Sequence, residues 1–257
     1  MPLVATDGIV LHAFDYMESS RIVRLATREV GLQSVIAKGA RRTRGKHGAS
    51  LDLFAEGAAH LSIRSGRDLH TLTGFDVTRS RPELAADLGR FAAASAIAEL
   101  MLRFAHDDEH TALYDTLVAT LDAIAAARPG QARVAALAGA WRLVAELGFA
   151  PALDNCAQCH RLLEPAAEVG FSHRDGGALC PDCARGRAGA RTLPASARAT
   201  IRRWLGSLGE PGVPGELDEA TERAHQRLLR EFLHEHLTDG RPLRAFDMWE
   251  SARWAGG

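Results

Sequence analysis

The stretches GIVLHAFDY (8–16), RIVRLAT (21–27) and LQSVIAK (32–38) open the chain with three runs rich in β-branched and aromatic residues. Short turn-like segments separate them, a pattern that predicts consecutive antiparallel strands. Two further runs, AAHLSIR (58–64) and LHTLTGFDV (69–77), flank a polar turn and predict a hairpin. Five short strands without an intervening helix favour a small antiparallel barrel. The five-stranded OB-fold is a common barrel of this kind, and it also binds single-stranded nucleic acids.

After Pro82 the hydrophobic residues repeat with the period of a helix rather than that of a strand. Ala-rich amphipathic helices are therefore predicted, with a stop at Pro129 and a C-terminal cap at Gly148. The predicted helices cover residues 83–107, 111–127, 131–147, 193–208 and 217–237.

All four cysteines lie in one window, as CAQC (156–159) and CPDC (180–183). Each C-x2-C pair places two thiolates on a tight turn, and two such turns complete the tetrahedral sulfur shell that Zn²⁺ accepts. We therefore expect one structural Zn²⁺ bound by Cys156, Cys159, Cys180 and Cys183. Two disulfides or free thiols are the alternative, and a reducing compartment favours the metal.

Together these patterns predict an α+β protein. Residues 1–80 form a five-stranded OB-fold domain, and residues 81–240 form an α-helical domain with a four-cysteine zinc element inserted at 153–190. Residues 241–257 form a C-terminal tail. The first seven residues lack the layout of a signal peptide, and no apolar run reaches the roughly 18 residues of a membrane span. We therefore expect a cytoplasmic protein that does not contact a membrane.

The net charge of −1 hides an alternation of basic and acidic segments. Residues 1–80 carry 11 Lys or Arg against 8 Asp or Glu, and residues 156–204 carry 8 against 4. The segments 81–155 and 205–257 each carry 6 against 10. Two local basic regions in a nearly neutral chain indicate a defined polyanion-binding face rather than a generally basic surface.

The densest basic cluster is KGARRTRGKHG (38–48), which has five Lys or Arg and no acidic residue. It follows a predicted strand and suits a loop that lays cations along a phosphate backbone, although a solvated hairpin loop is the alternative. A second basic stretch adjoins the cysteines. Phe14 and Tyr16 are candidates for base stacking, with core packing as the alternative. The predicted DNA contacts are Lys38, Arg41, Arg42, Arg44, Lys46, Arg185, Arg187 and Arg191.

No catalytic motif accompanies these features. The chain has no Walker phosphate loop, no G-x-S-x-G elbow and no H-E-x-x-H pattern. All-thiolate ligation also argues against a hydrolase with a catalytic zinc, because such a site keeps an open coordination position. We therefore expect a binding protein rather than an enzyme.

A set of ordered motifs resembles the RecO family of recombination mediators, and the resemblance extends to about residue 240. These motifs are VIAKGARR (35–42) with LDLF (51–54), ELGFAPALDNC (146–156) and GGALC (176–180). The resemblance implies single- and double-stranded DNA binding, annealing of complementary strands and, with RecR, loading of RecA onto DNA coated by single-strand binding protein (SSB). It also implies a nucleoid-associated protein whose helical domain binds the C-terminal tail of SSB.

The third predicted helix offers candidates for the SSB-tail pocket. Arg133, Leu137 and Trp141 recur at i, i+4 and i+8 and share one face, with Arg142 at its edge. An arginine would pair with the terminal carboxylate of the tail, and the apolar side chains would hold its last residue. Ordinary core packing of Leu137 and Trp141 is the alternative.

A second function remains open from the residues alone: a zinc-containing nucleic-acid-binding module of another pathway, either RNA-binding or transcription-associated. Annealing of naked complementary DNA distinguishes the two, because a mediator must bring two strands together without masking their base edges.

Overall fold

The computed structural model describes residues 2–40, 51–64, 66–128, 130–206, 217–237 and 241–251. Its first part is a closed barrel with the strand order β1-β2-β3-β5-β4. The strands are β1 Leu3–Tyr16, β2 Ser20–Thr27, β3 Gly31–Ala37, β4 Glu56–Ser62 and β5 His70–Arg79. Neighbouring strands are antiparallel except β3 and β5, which run parallel. The predicted five-stranded OB-like barrel is confirmed.

Strand β1 closes the barrel because it pairs with β2 along one part and with β4 along the other. Its register against β2 shifts between Val10 and His12, and a bulge of this kind increases the local twist and bend that closure needs. Inward-pointing residues of all five strands, including Val23, Leu25 and Val35, form the barrel core. Residues of the opposite parity therefore face outward.

The helical body begins with α1 Pro82–Ala86, α2 Leu88–Phe104, α3 Thr111–Ala126 and α4 Ala132–Glu146. The prediction of one helix over 83–107 is wrong, because the backbone is extended at Asp87. The Asp87 carboxylate accepts a hydrogen bond of 2.7 Å from the backbone N–H of Arg90 and so caps α2. In the described ranges, no helix combines the length and apolar character that a membrane crossing requires.

Helices α3 and α4 pack closely at Gly139. A Cβ atom at this position would overlap with Cγ2 and Oγ1 of Thr120, whose hydroxyl donates a 2.7 Å hydrogen bond to the Thr116 carbonyl within α3. Both residues lie on the buried faces of their helices. Glycine is therefore required here by the helix spacing and not by backbone conformation.

We expect Gly139→Ala to lower the free energy of unfolding by about 1–3 kcal/mol, because overpacking outweighs the better helix propensity of alanine. Urea denaturation measures the change. Gly206→Ala is the control, since no described atom lies within 4 Å of a Cβ there. The double variant Gly139→Ala/Thr120→Ala removes the two nearest atoms and should recover part of the stability, since the Cβ of residue 120 remains 2.8 Å from the new Cβ. A loss equal to that of Gly139→Ala alone would contradict the steric explanation.

Three more helices complete the body: α6 Ala195–Gly206, α7 Glu219–His236 and α8 Arg244–Ser251. The sequence prediction missed α8, which lies in the segment assigned to the tail. Its Phe246 and Trp249 are buried, and the backbone N–H of Phe246 donates to Oε2 of Glu99 on α2 at 3.0 Å. Residues 244–251 are therefore an integral part of the body.

The inserted element lies between α4 and α6. It contains the three-stranded sheet β7-β6-β8, formed by β6 Val169–Ser172, β7 Gly177–Leu179 and β8 Arg191–Leu193, and the short helix α5 Pro181–Arg185. Phe171 of β6 packs on Phe232 of α7 with ring centroids 6.3 Å apart, and Phe232 packs on Trp141 at 5.2 Å. The element and the helices thus share one hydrophobic core.

Polar contacts join the barrel to the helical body. Arg28, in the β2–β3 turn, pairs with Asp115 of α3 at 3.0 Å. The backbone N–H of Leu32 donates to the His106 carbonyl at 2.8 Å. Arg81, at the junction of the two parts, is itself buried. These contacts fix the barrel against the helical body, so the two parts are joined by more than the connecting chain.

Candidate metal centre and nucleic-acid interface

The four cysteines converge on one point. Their Sγ atoms all lie within 4.8 Å of one another, and those of Cys159 and Cys180 are 3.8 Å apart. Sulfur atoms around a tetrahedral Zn²⁺ are separated by about 3.8 Å when each Zn–S bond is about 2.3 Å. A disulfide would require about 2.05 Å, and all four thiols are free. The residues therefore fit a four-thiolate metal site and not a pair of disulfides.

Two different turns deliver the thiols. In the first, the His160 N–H donates to the Cys156 carbonyl at 2.9 Å, and His160 adopts a left-handed conformation with φ of 59°. In the second, Cys180 precedes Pro181, the first residue of α5, and the Ala184 N–H donates to the Cys180 carbonyl at 2.9 Å. Each turn holds two cysteines three residues apart and directs both sulfurs to the common cluster.

Burial divides the thiols into two pairs. Cys156 and Cys180 are buried in the shared core, whereas Cys159 is exposed and Cys183 is half-buried. The backbone N–H of Cys180 also donates to the Cys156 sulfur at 3.4 Å, a contact that favours a thiolate. A metal bound here would link the edge of the body to the inserted sheet.

Neighbouring groups shift the pKa values of two thiols in opposite directions. Burial acts to raise the pKa of Cys156, but hydrogen bonds from the backbone, first that of Cys159, lower it to about 6. Hydrogen bonds with the other thiols, above all with Cys180, raise the pKa of Cys183 to about 12. Thiolates at these separations repel one another, so all four ionise together only when a cation neutralises them.

The outer face of β1, β2 and β3 is the first candidate nucleic-acid surface. Phe14 pairs across the sheet with Ile22, which pairs with Ile36, so the three side chains form one outward row. Phe14 is 46% exposed, and its ring meets that of His12 edge-on with centroids 5.7 Å apart. An exposed aromatic ring on this face of an OB-fold suits base stacking. Tyr16, the second stacking candidate, is half-buried at the end of β1.

Arg24 lies on the same face, opposite His12 on β1 and Ser34 on β3. It is half-buried, its Nε atom has no hydrogen-bond partner among the described residues, and burial lowers the pKa of its guanidinium. A half-buried cation without a counter-ion favours the approach of an anion such as a phosphate. Lys38, exposed just beyond the end of β3, adds a second cation. The sequence prediction missed Arg24, although its position between inward-pointing Val23 and Leu25 indicates an outward side chain.

Several predicted DNA contacts remain untested. Arg41, Arg42, Arg44 and Lys46 lie outside the described residues. The three arginines near the cysteines are described, and each pairs with a carboxylate. Arg185 pairs with Asp182, Arg187 makes a two-pronged contact with Asp175, and Arg191 lies 3.0 Å from Glu231. A DNA role for the three stays a prediction, and Arg187, held by both oxygens of its partner, is the least available to a phosphate.

The predicted SSB-tail face lies against α6 and α7. Leu137 and Trp141 are fully buried, which is the core packing considered as the alternative. At either side, Arg133 pairs with buried Glu222 of α7 at 3.1 Å, and the Nε of Arg142 donates to the Trp204 carbonyl at 2.7 Å. The arginines thus hold α7 and α6 in place. Tail binding by these residues stays a prediction.

Comparison with known proteins adds an independent line of information. Residues 1–81 match the family model described as Recombination protein O N terminal, and residues 85–245 match Recombination protein O C terminal. The chain is 40% identical over 256 residues to the DNA repair protein RecO of Anaeromyxobacter sp. (strain K), with 95% of each chain covered. It is 32% identical over 237 residues to the DNA repair protein RecO of Rubrobacter xylanophilus, with 92% of each chain covered.

Proposed function

Because the chain belongs to the RecO family of DNA repair proteins, we propose that it is a recombination mediator that binds DNA without making or breaking covalent bonds. In this role it binds single- and double-stranded DNA and anneals complementary strands. The observation that carries the proposal is the outer face of the barrel, where exposed Phe14 and half-buried Arg24 lie on the same side of the sheet.

Annealing follows from the chemistry of that surface. Two strands repel each other through their phosphates, and an annealing protein must neutralise this charge while it leaves base edges free to test pairing. Arg24 and Lys38 neutralise phosphates without reading sequence. Phe14 stacks on one base without occupying its hydrogen-bonding edge, so a complementary strand can still pair with it.

The metal in this proposal is one Zn²⁺, held by Cys156, Cys159, Cys180 and Cys183. When bound it supplies charge neutralisation for four thiolates and a cross-link between two turns. Four sulfur ligands leave no position for a substrate, so the site is structural. The partners and compartment are those that the family resemblance implies. They are RecR, SSB through its C-terminal tail, and the SSB-coated single strands onto which RecA is loaded, in a cytoplasmic, nucleoid-associated setting.

We expect Phe14→Ala to weaken single-strand binding by about 1–3 kcal/mol, which is roughly one stacked base. Arg24→Ala should reduce the slope of log affinity against log salt by about 0.7, which corresponds to one phosphate contact on a single strand. Fluorescence anisotropy with a labelled single strand measures both quantities, and annealing of complementary strands is followed in parallel.

Phe149→Ala is the matched control for the aromatic change, since Phe149 is also partly exposed but lies on the helical body. Its affinity and annealing rate should equal those of the unaltered protein. If Phe14→Ala and Arg24→Ala bind and anneal as well as the unaltered protein, this face is not the DNA surface. If the unaltered protein binds DNA but does not anneal it, the mediator function fails and a binding module of another pathway is favoured.

A further inference from the structure

A row of basic side chains follows the exposed side of α7. Arg223, Arg227, Arg230 and His234 are all solvent-exposed. Their spacing of four, three and four residues confines them to an arc of about 60° on an α-helix. The buried residues of α7, such as Leu229 and Phe232, point to the opposite side. This α7 arginine row was not among the predicted DNA contacts.

The row departs from an ordinary solvated helix face. Exposed helices usually alternate acidic and basic residues at i and i+4, because like charges at this spacing lower helix stability. Two acidic residues of α7 have partners outside the row, since Glu222 is buried against Arg133 and Glu231 pairs with Arg191. The acidic residues of the C-terminal segment therefore neutralise the row only in part, through Glu219 and Glu250.

The cations are held weakly enough to accept a new partner. Arg223 pairs with Glu219 and Arg230 with Glu250, and both arginines keep more than two fifths of their side-chain surface exposed. Exposed pairs of this kind contribute little and exchange readily for another anion. Arg227, between them, is exposed and interacts electrostatically with Glu250, the carboxylate that contacts Arg230.

The inserted element extends the same surface. Arg191 of β8 is 63% exposed and lies 3.0 Å from Glu231, which is one helical turn from Arg227. At its other end the row meets a groove of about 360 Å³ between α7 and α8, whose lining includes Arg230, His234 and Leu243. The groove also contains Glu231 and Asp247, so the continuous basic surface ends there.

We propose that the α7 arginine row binds the phosphate backbone of a nucleic-acid strand, separate from the strand held by the barrel. The row is about 16 Å long, because eleven residues each rise by about 1.5 Å along a helix. One strand of a duplex carries a charge about every 3.4 Å along its axis, so such a row spans several phosphates. A single carboxylate would satisfy only one of its cations. A repeating polyanion matches all of them.

This inference rests on the proposed function and deepens it. An annealing protein that holds one strand on the barrel benefits from a second cationic surface that raises the local concentration of the other strand. Sequence-blind contacts are sufficient for this purpose. The row carries no exposed aromatic residue, which agrees with contacts to phosphate and not to bases.

The test uses the full chain with Arg223→Ala/Arg227→Ala, because neither residue supports the fold through a buried contact. We expect the slope of log affinity against log salt for a labelled single strand to fall by about 1.4, the value for two lost phosphate contacts. We also expect annealing to slow. Arg223→Lys/Arg227→Lys keeps both charges and should retain the slope and most of the annealing rate.

The matched control is Arg161→Ala/Arg174→Ala, which also removes two exposed arginines but takes them from the inserted element, at positions outside the predicted DNA contacts. An equal fall in slope for the two Ala variants would reduce the effect to net charge and overturn the inference. The inference would also be overturned if the α7 variant kept its salt slope for DNA but no longer bound a Glu-rich peptide. The row would then be a protein-docking surface. If the barrel variants respond as expected and the α7 variant does not, only the inference about the α7 arginine row fails. If the unaltered protein binds no DNA, both this inference and the proposed function fail.

Discussion

Replacing Cys159 with serine is expected to release the metal and to destabilise the protein far more than the loss of an exposed side chain would explain. Cys159 is exposed, so the substitution creates no cavity in the core. Its partners Cys156 and Cys180 are buried, however, and without a cation their thiolates repel each other. Structural Zn²⁺ contributes about 10–16 kcal/mol of apparent binding free energy in small zinc domains, and a Zn²⁺ held by these four thiols would contribute part of that energy to folding.

The expected measurements are one equivalent of zinc in the unaltered protein, much less than one in Cys159→Ser, and a large fall in melting temperature. Cys156→Ser serves as the comparison, since it removes a ligand and also alters the core. If the metal accounts for the stability, the two variants should lose similar amounts. Chelator-treated protein should then match Cys159→Ser and should recover its melting temperature when Zn²⁺ is restored. Purified protein without bound metal, and with a melting temperature that chelation does not change, would contradict the structural zinc site.

The effect should spread beyond the cysteine window because the inserted element shares a core with the helices. Phe171 is the connection, since it packs on Phe232, which in turn packs on Trp141 of α4. Loss of the metal is therefore expected to loosen α7 as well. Hydrogen exchange of backbone amides in α7 would detect this loosening, whereas exchange in the barrel should be unchanged.

The sequence predicted those features that depend on short-range patterns. Strand alternation located the five barrel strands, and the C-x2-C spacing located the thiols that the structure brings together. The break at Asp87 was missed because the apolar repeat continues across it from Leu84 to Phe91, and hydrophobic period alone does not register an extended cap residue. Helix α8 was missed because it is short and depends on a tertiary partner, the Glu99 carboxylate.

The positions of charged side chains were harder to predict, because a pairing partner is often distant in sequence. The sequence around Arg133 does not predict its ion pair with Glu222, which is 89 residues away. The sequence around Arg191 likewise does not predict its pair with Glu231. The spacing of Arg133, Leu137 and Trp141 predicts a shared helix face, but it does not distinguish a face covered by α7 from a face open to a partner. By contrast, the α7 arginine row depends only on helical spacing and was readable from the sequence.

The buried ion network at the junction of barrel and body leads to the second large expected effect. The side chain of Arg81 is only 2% exposed. Its guanidinium contacts the Glu56 carboxylate of β4 at 2.6 Å and the Asp122 carboxylate of α3 at 2.7 Å, and it donates to the Phe54 carbonyl at 3.0 Å. Phe54 is in the left-handed region, with φ of 65°, so Arg81 also holds a strained turn. One side chain thus joins β4, the segment before it and α3.

We expect Arg81→Met to lower the free energy of unfolding by about 3–5 kcal/mol, because it leaves the Glu56 carboxylate and a buried carbonyl without their cation and leaves Asp122 with only the exposed Arg79. Methionine keeps a similar length, so the loss reflects charge and hydrogen bonding more than volume. Urea denaturation measures the stability. Limited proteolysis near residues 79–88 tests the second consequence, which is easier separation of the barrel from α3.

Arg79→Met provides a control that shares the same acceptor. Arg79 also pairs with Asp122, but its side chain is 51% exposed, and such pairs contribute less than about 1 kcal/mol. The triple variant Arg81→Met/Glu56→Gln/Asp122→Asn removes the unpaired charges and should recover part of the loss, since a buried ion network can be replaced by neutral groups at little cost. Equal destabilisation by Arg79→Met and Arg81→Met would mean that burial does not govern the strength of this network. In that case the barrel and body would be held together by the Arg28–Asp115 pair and the Leu32–His106 hydrogen bond rather than by Arg81.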